Sequence, residues 1–452
     1  MRLIIIIKMK QPILHTGLIL IVFTFCYCNQ TNKKQTNELL SFRGGSSHTG
    51  LYSSAPLADP PDVKWKFKTG GVLQSSASIA DGKIYFGSGD SSLYALDEKT
   101  GSLAWMFKTG GAIHSTPAID NGVVYFGSYD GFFYALNVAD GTLAWKFKTD
   151  GERCFAAKGI HGNEPKDSLF QDDWDFFLSS PAIKDDVLYF GTGSGYLYAL
   201  NKKDGSEKWK FKTGEIIHSS PAIAYGNVYI GSWDTYLYAL NAESGNEVWK
   251  FKTGEDTEYF NQTGIPGSPM IADSILYFGC RDAHLYALDA INGKLKWKRF
   301  NNYSWVSSCP IIYKEKLIYT TSDSRSLVAL NKLTGDSIYQ VKAKGWILSS
   351  PSAAGNVIYF GDLLGNLNAF DADNGNKIWI YHPKDSEEDA YGILRPDSTL
   401  NGKVVFSKDK QEKEKKTGLQ MIFTLGSINS SPVIKDKIIF VGSTSGYFYA
   451  ID

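Results

Sequence analysis

The phrase W-K-F-K-T-G beginning at Trp65 returns in near-copies from Trp105, Trp145, Trp209 and Trp249. Between copies the chain follows a fixed script: S-S-P-A-I, then V-Y-F-G-S, then L-Y-A-L-[DN], then a glycine four residues before the next tryptophan. A period of about forty residues holding four short strand-like runs marks a β-propeller, each repeat being one blade. Such a fold is a platform. Its function lies in its loops and at the mouth of its channel.

Anchors on Y-F-G fall at Tyr85, Tyr125, Tyr189, Tyr229, Tyr277, Tyr319 and Tyr359, with Ile439 in the last copy, which makes eight. The L-Y-A-L segments agree, starting at Leu93, Phe133, Leu197, Leu237, Leu285, Leu327, Leu367 and Phe448. Each repeat predicts four antiparallel strands, with hairpin turns at Asp81-Gly82, Asn121-Gly122 and Asp130-Gly131. The fold class is therefore all-β, an eight-bladed propeller. The turn between third and fourth strands has the form A-x-[DN]-x-x-x-G-x-x-x-W, seen most fully from Ala95 to Trp105. Its Asp or Asn bonds its own turn and its Gly supplies positive φ. The tryptophan is expected to cover the turn from the seam between blades, a structural role. Alternating outer-strand lysines, such as Lys66 and Lys68, read as protection of the sheet edge.

The chain stops after the eighth L-Y-A-L equivalent, while Trp65 opens an outer strand with no repeat before it. Residues 63–69 are thus expected to complete the last blade and close the ring. Insertions interrupt the period at 151–174, 255–264 and 385–424, always between an outer strand and the next inner one. All three should decorate one face, around the channel mouth, where binding is expected. They mix aromatic and acidic residues: Asp172 and Trp174 in the first, Tyr259 in the second, Glu387 and Glu388 in the third. The run from Lys408 to Lys416 reads as solvated. His114 and His218, entering inner strands, and Trp305 and Trp346, two positions earlier in their blades, complete the candidate binding face. Two histidines on separate blades fall short of the three or four convergent ligands a metal needs, so polar lining is expected and no metal.

Residues 1–28 read as an export signal: Arg2, Lys8 and Lys10 precede a largely apolar stretch from Ile13 to Phe25. Cys28, or less favourably Cys26, followed by the polar run Asn29 to Asn37, suggests lipidation; an ordinary cleaved signal or an uncleaved anchor is the alternative. Residues 29–62 would be tether and lead-in, and 63–452 the propeller. The whole chain has zero formal net charge, and loss of the signal leaves about −3, so nucleic acid is not an expected partner. Cys280 and Cys309 stand where other repeats carry Ser or Thr, which reads as buried substitution, a bridge between them staying open.

The A-x-[DN]-x-x-x-G-x-x-x-W turn, complete six times and once with Tyr339 in place of the tryptophan, resembles the PQQ-like repeat of quinoprotein propellers over residues 63–452. Compact blades behind a lipoprotein-like signal are most similar to the branch of that family that serves outer-membrane β-barrel assembly. The resemblance implies an exported, lipid-anchored, monomeric scaffold in the cell envelope that binds envelope or outer-membrane proteins, with no cofactor and no catalytic residue. An alternative is a PQQ-dependent dehydrogenase using Ca²⁺, although the adjacent Cys-Cys pair and long insertions of those enzymes are missing here. A binder of glycans or small ligands at the channel mouth is another.

Overall fold

The computed structural model describes residues 40–256, 258, 260–383 and 389–452. Cys26, Cys28, Tyr259, Glu387 and Glu388 lie outside the described residues. Eight four-stranded antiparallel blades follow one another around a ring. Seven are continuous, at 78–108, 118–148, 182–212, 222–252, 270–300, 311–342 and 352–381. The eighth combines 433–451 with Val63–Lys68 as its outer strand, pairing Val63 with Ile451, Trp65 with Ala450 and Lys68 with Tyr447. The ring closes as the repeat arithmetic requires.

Burial follows strand position. Second and third strands, such as Lys83–Gly87 and Ser92–Asp97, are buried almost throughout because neighbouring blades cover both faces. Outer strands alternate half-buried and exposed, as Glu207–Lys212 does, with lysines on the open side. Seven blades carry a tryptophan opposite the third-strand alanine: Trp105 pairs with Ala95 and Trp209 with Ala199, and Tyr339 stands in opposite Ala329. Each ring reaches the next blade. The Trp145 indole donates to the Lys202 carbonyl (3.2 Å) and lies on Gly205, where an added Cβ would sit 2.6 Å from the ring. Glycine is needed there twice over, for φ of +74° and for the ring. These tryptophans are half-buried rather than core, except Trp379, which is 4% exposed.

Two of the sequence anchors fall one residue out of register. Ile318, not Tyr319, pairs with Ile311, and Phe440, not Ile439, pairs with Val433. A one-residue slip in a strand turns a side chain to the opposite face. Tyr319 accordingly donates its hydroxyl to Asn301 (2.6 Å) in place of the inter-blade carbonyl that Tyr125 and Tyr189 reach.

Within residues 29–62, expected as tether and lead-in, the chain is built into the ring from Leu40 onward. Its carbonyls at Leu40, Ser46, Ser47 and Gly50 accept from the inner-strand amides of Ile119, Ile223, Ile271 and Ala353. Leu51–Tyr52 adds a parallel fifth strand inside the seventh blade. Arg43, 2% exposed, donates to the carbonyls of His48 and Pro310. This segment closes the channel at the end bearing the first-to-second-strand turns. Leu57 then supplies the carbonyl that Trp379 needs (3.1 Å), replacing the turn that the eighth blade lacks.

Candidate functional site

The insertions occupy the opposite end and form a lid. The first carries a hairpin of Ala156–Lys158 with Leu169–Gln171, and the third folds into short helices at Gly402–Val405, Lys408–Glu414 and Gly418–Phe423. The sequence did not announce these helices, although two are signalled by caps: Ser407 accepts from the Lys410 amide, and Thr417 with Gln420 makes a capping box. Lys408–Glu414 buries nothing, in keeping with a solvated run. First and third insertions share one apolar cluster, in which Phe176 meets Phe423 at 5.6 Å, edge to face.

Beneath the lid the channel narrows to a cavity of about 60 Å³. Each blade contributes the residue that precedes its first inner-strand pair, among them Gln74, His114, His218 and Asn429. Phe42 of the lead-in also lines it, with Phe177 of the first insertion. Hydroxyls knit the blades together here: the Ser180 amide donates to Ser220 Oγ (3.0 Å) and the Ser220 amide to Ser268 Oγ (2.9 Å). Cys309 takes the matching serine position in the sixth blade. Cys280 and Cys309 are both buried and free, so no bridge joins them.

A layer of buried charge lies between channel and lid. His218, 3% exposed, contacts Asp175 Oδ1 through Nδ1 (2.7 Å) and Glu152 Oε1 through Nε2 (3.1 Å). Burial alone would push its imidazole down, but the two carboxylates outweigh this and raise it to about 10. Burial pushes the Glu152 carboxyl up, against the bond from His218. His114 is pushed down to about 4 by burial, its Nδ1 facing the Phe176 carbonyl. Asp172, 1% exposed, is held below the usual carboxylate range by Arg281 and His161 in spite of its burial. The Arg281 guanidinium lies over Trp233 (4.6 Å) and Trp305 (3.8 Å).

Three of the sequence-derived binding residues are therefore corrected. His218 and Asp172 are buried and taken by internal partners. His114, half-buried, lines the channel cavity beneath the lid with Nδ1 on the Phe176 carbonyl and Nε2 unpartnered, so none of the three faces the outer rim. Both nitrogens of His218 are taken by carboxylates, which removes it as a metal ligand. Arg281, which organises the layer, was missed; its only signal was a charge beside Asp282 in a turn where other blades place Gly89, Tyr129 or Trp233.

Trp174, Trp305 and Trp346 do come together. All three are half-buried, with ring centroids 6.0 Å apart for Trp174 and Trp305 and 6.1 Å for Trp174 and Trp346. Phe406, from the third insertion, lies parallel to Trp346 at 5.9 Å. They wall a pocket of about 330 Å³ on the lid face. Asp173 and Asp323, both exposed, also line it, with amide side chains such as Asn261 and Gln411, and no lysine or arginine does.

Fold and lid together define a class: an eight-bladed propeller of PQQ-like repeats with a narrow channel and a larger pocket on one decorated face. The profile of the family described as outer membrane protein assembly factor BamB matches residues 57–164, 169–304 and 303–421, and the chain belongs to that family. A BamB from Shewanella oneidensis is 34% identical over 64 residues, a stretch that spans 14% of this chain and 16% of that protein. Among solved structures, BamB from Moraxella catarrhalis aligns with a TM-score of 0.60 at 18% identity, covering 87% of this chain and 98% of its own. The quinohemoprotein alcohol dehydrogenase of Comamonas testosteroni gives 0.67 at 13% identity, covering 93% and 81%. At these identities the structural likenesses speak for the fold.

Proposed function

We propose that this chain is a non-catalytic scaffold of the cell envelope, acting in outer-membrane protein assembly, exported and tethered to the membrane by a lipid on Cys28 or, second to it, Cys26. It would hold envelope or outer-membrane proteins as a monomer, without a cofactor. The carrying observation is the lid. The first and third insertions pack together over the channel mouth of a rigid ring and leave an aromatic rim, with Phe406 41% exposed. Aromatic anchors on a rigid platform suit protein recognition. The test is photocrosslinking in cells, with the crosslinker placed at Phe406 or at Tyr225, which is 54% exposed in a turn on the opposite face. Outer-membrane proteins are expected in adducts from Phe406 and not from Tyr225. Adducts from Tyr225 alone, or from neither, would sink this reading.

The dehydrogenases of similar fold motivate a second reading, a quinone-dependent oxidoreductase. Its cofactor is a flat tricarboxylate, which calls for surrounding cations and a pocket of roughly 300 Å³ or more. The channel cavity offers about 60 Å³, and the larger pocket is lined by carboxylates. Among the described residues no three His, Cys, Asp or Glu side chains are grouped to hold a metal. These residues do not fit the quinone and its Ca²⁺. Incubation with both is expected to give no dye reduction with alcohols.

A further inference from the structure

In four blades an aspartate in the second-to-third-strand turn has a fixed structural task. Asp90, Asp130, Asp234 and Asp282 each accept from a tyrosine four residues on, Tyr94, Tyr134, Tyr238 and Tyr286. Each also accepts from a glycine amide at the end of the preceding outer strand, as Asp90 does from Gly70 (2.8 Å) and Asp234 from Gly214 (2.7 Å). The sixth-blade turn is one residue longer, and Ser324 stands at the aspartate position, its carbonyl accepting from Lys342 as that of Asp90 accepts from Lys108. Val328 stands for the tyrosine, and Asp323 precedes Ser324 without that structural task. Asp323 receives the hydroxyl of its neighbour Ser322 (3.1 Å) and turns an exposed carboxylate to the pocket of Trp174, Trp305 and Trp346.

The residues one layer below show what such a set of groups holds. There the Arg281 guanidinium lies over Trp233 and Trp305 and is paired with Asp172. Trp305 belongs to both layers. In the open pocket indoles again stand beside carboxylates, Asp323 and Asp173. No lysine or arginine is among the described lining residues, and the imidazole that lines it, His161, is already paired with Asp172. Indole faces and carboxylates both attract positive charge, and an alkyl stem gains by leaving water against the rings. A quinone or a phosphate would meet negative charge on negative charge. Asp323 and Trp346 also line an adjoining hollow with Arg325, Arg395 and Lys403, which opposes a polybasic run and leaves room for one cationic group on the indole side.

We propose that the pocket walled by Trp174, Trp305 and Trp346 binds a single organic cation, an alkylammonium or alkylguanidinium group, with Asp323 as its principal counter-ion. The group is either a free small ligand or a lysine or arginine side chain of a bound polypeptide. The site stands whether or not the scaffold reading does.

Isothermal titration with N-acetyl-arginine methylamide, N-acetyl-lysine methylamide and choline tests this on the full chain, with maltose as a neutral control. Saturable binding of the cations is expected, with a Kd in the millimolar range and weaker in high salt. Asp323→Asn should weaken it about tenfold and Trp346→Leu by at least about fivefold, with near-UV circular dichroism unchanged. A pentapeptide with a central arginine that binds tighter than the blocked amino acid identifies a polypeptide side chain as the source; equal affinity identifies a free cation. The proposal is overturned by no saturation with any cation, by maltose binding as tightly as they do, or by an Asp323→Asn protein of native circular dichroism that keeps full affinity. Photocrosslinking at Phe406 is a separate readout, so either idea can fail alone.

Discussion

His48 and His218 are both buried and respond to pH in opposite senses. His48 is 2% exposed, its Nδ1–H donating to the Pro269 carbonyl (2.8 Å), and burial pushes its imidazole down to about 4. The unfolded chain takes up that proton near pH 6.5, so the native state loses stability as pH falls from about 6.5 to 4, by of order 2–3 kcal/mol. His218 is raised to about 10, so its contribution is complete below about pH 6.5 and disappears as pH climbs through about 10. Melting temperatures from pH 4.5 to 10 should show both limbs. His48→Asn, whose amide keeps a donor, is expected to make the acid limb shallower without abolishing it, since His114 is also pushed down to about 4. His218→Gln should destabilise most near pH 6 and least at pH 10; a constant offset across the range would contradict the ion-paired assignment. Neither environment was legible beforehand. The sequence placed His218 at the channel but gave no sign of Glu152 and Asp175, which arrive from an insertion 66 and 43 residues away in the chain. Asp172 looked like a rim carboxylate for the same reason, since its partner Arg281 lies 109 residues on.

At the level of strand and turn the repeat was far more readable, because each blade solves the same local problem. The glycine four residues before each tryptophan was read as a φ requirement in a turn that a ring covers from the seam, and the ring that lies on it belongs to the blade before. Two substitutions separate the causes. Gly82, at φ +69°, has nothing within 4 Å of an added Cβ, whereas at Gly205, φ +74°, that atom would meet the Trp145 ring at 2.6 Å. Gly82→Ala should cost about 1 kcal/mol, the price of the backbone conformation, and Gly205→Ala about 3 kcal/mol or more. Urea unfolding of the two proteins checks this, and equal losses would mean that the ring gives way. What local reading missed follows from the same locality. Tyr319 and Ile439 were mis-registered by one because an aromatic or apolar residue fits either face of a strand buried on both sides. The helices at 402–423 arise in a segment with no repeat to compare. The Trp174, Trp305 and Trp346 cluster was legible as a set, since all three lie at the decorated end, but Phe406 and the free carboxylate of Asp323 became visible only with the lid in place.

For the molecule as a whole the question is what keeps a ring of separate sheets shut at both its seam and its ends. Residues 57–68 touch three blades: Leu57 accepts from Trp379 of the seventh, Val63–Lys68 pairs with the eighth, and Trp65 donates to the Glu98 carbonyl of the first (3.2 Å). Main-chain bonds between Asp62 and Asp452 (3.0 and 3.1 Å) and the pair Lys64–Asp452 (3.2 Å) fasten the seam at the surface. The segment before it does a different job, satisfying inner-strand amides that would otherwise face the channel. Two truncations should therefore fail differently. A chain beginning at residue 53 keeps the seam and loses the floor. It is expected to stay monomeric while the amides of Ile119, Ile223, Ile271 and Ala353 exchange with solvent at least about tenfold faster, each having lost its acceptor. A chain beginning at residue 70 bares the pairing edge of Tyr447–Ile451 and the ring faces of Phe440 and Phe448 that Trp65 covers. An open apolar sheet edge recruits other chains, so dimers and larger species should appear in light scattering. Hydrogen exchange and scattering together decide the matter. A monomeric protein from residue 70 would place closure elsewhere than in the seam, and unchanged protection in the protein from residue 53 would mean that the inner strands hold their amides without the floor.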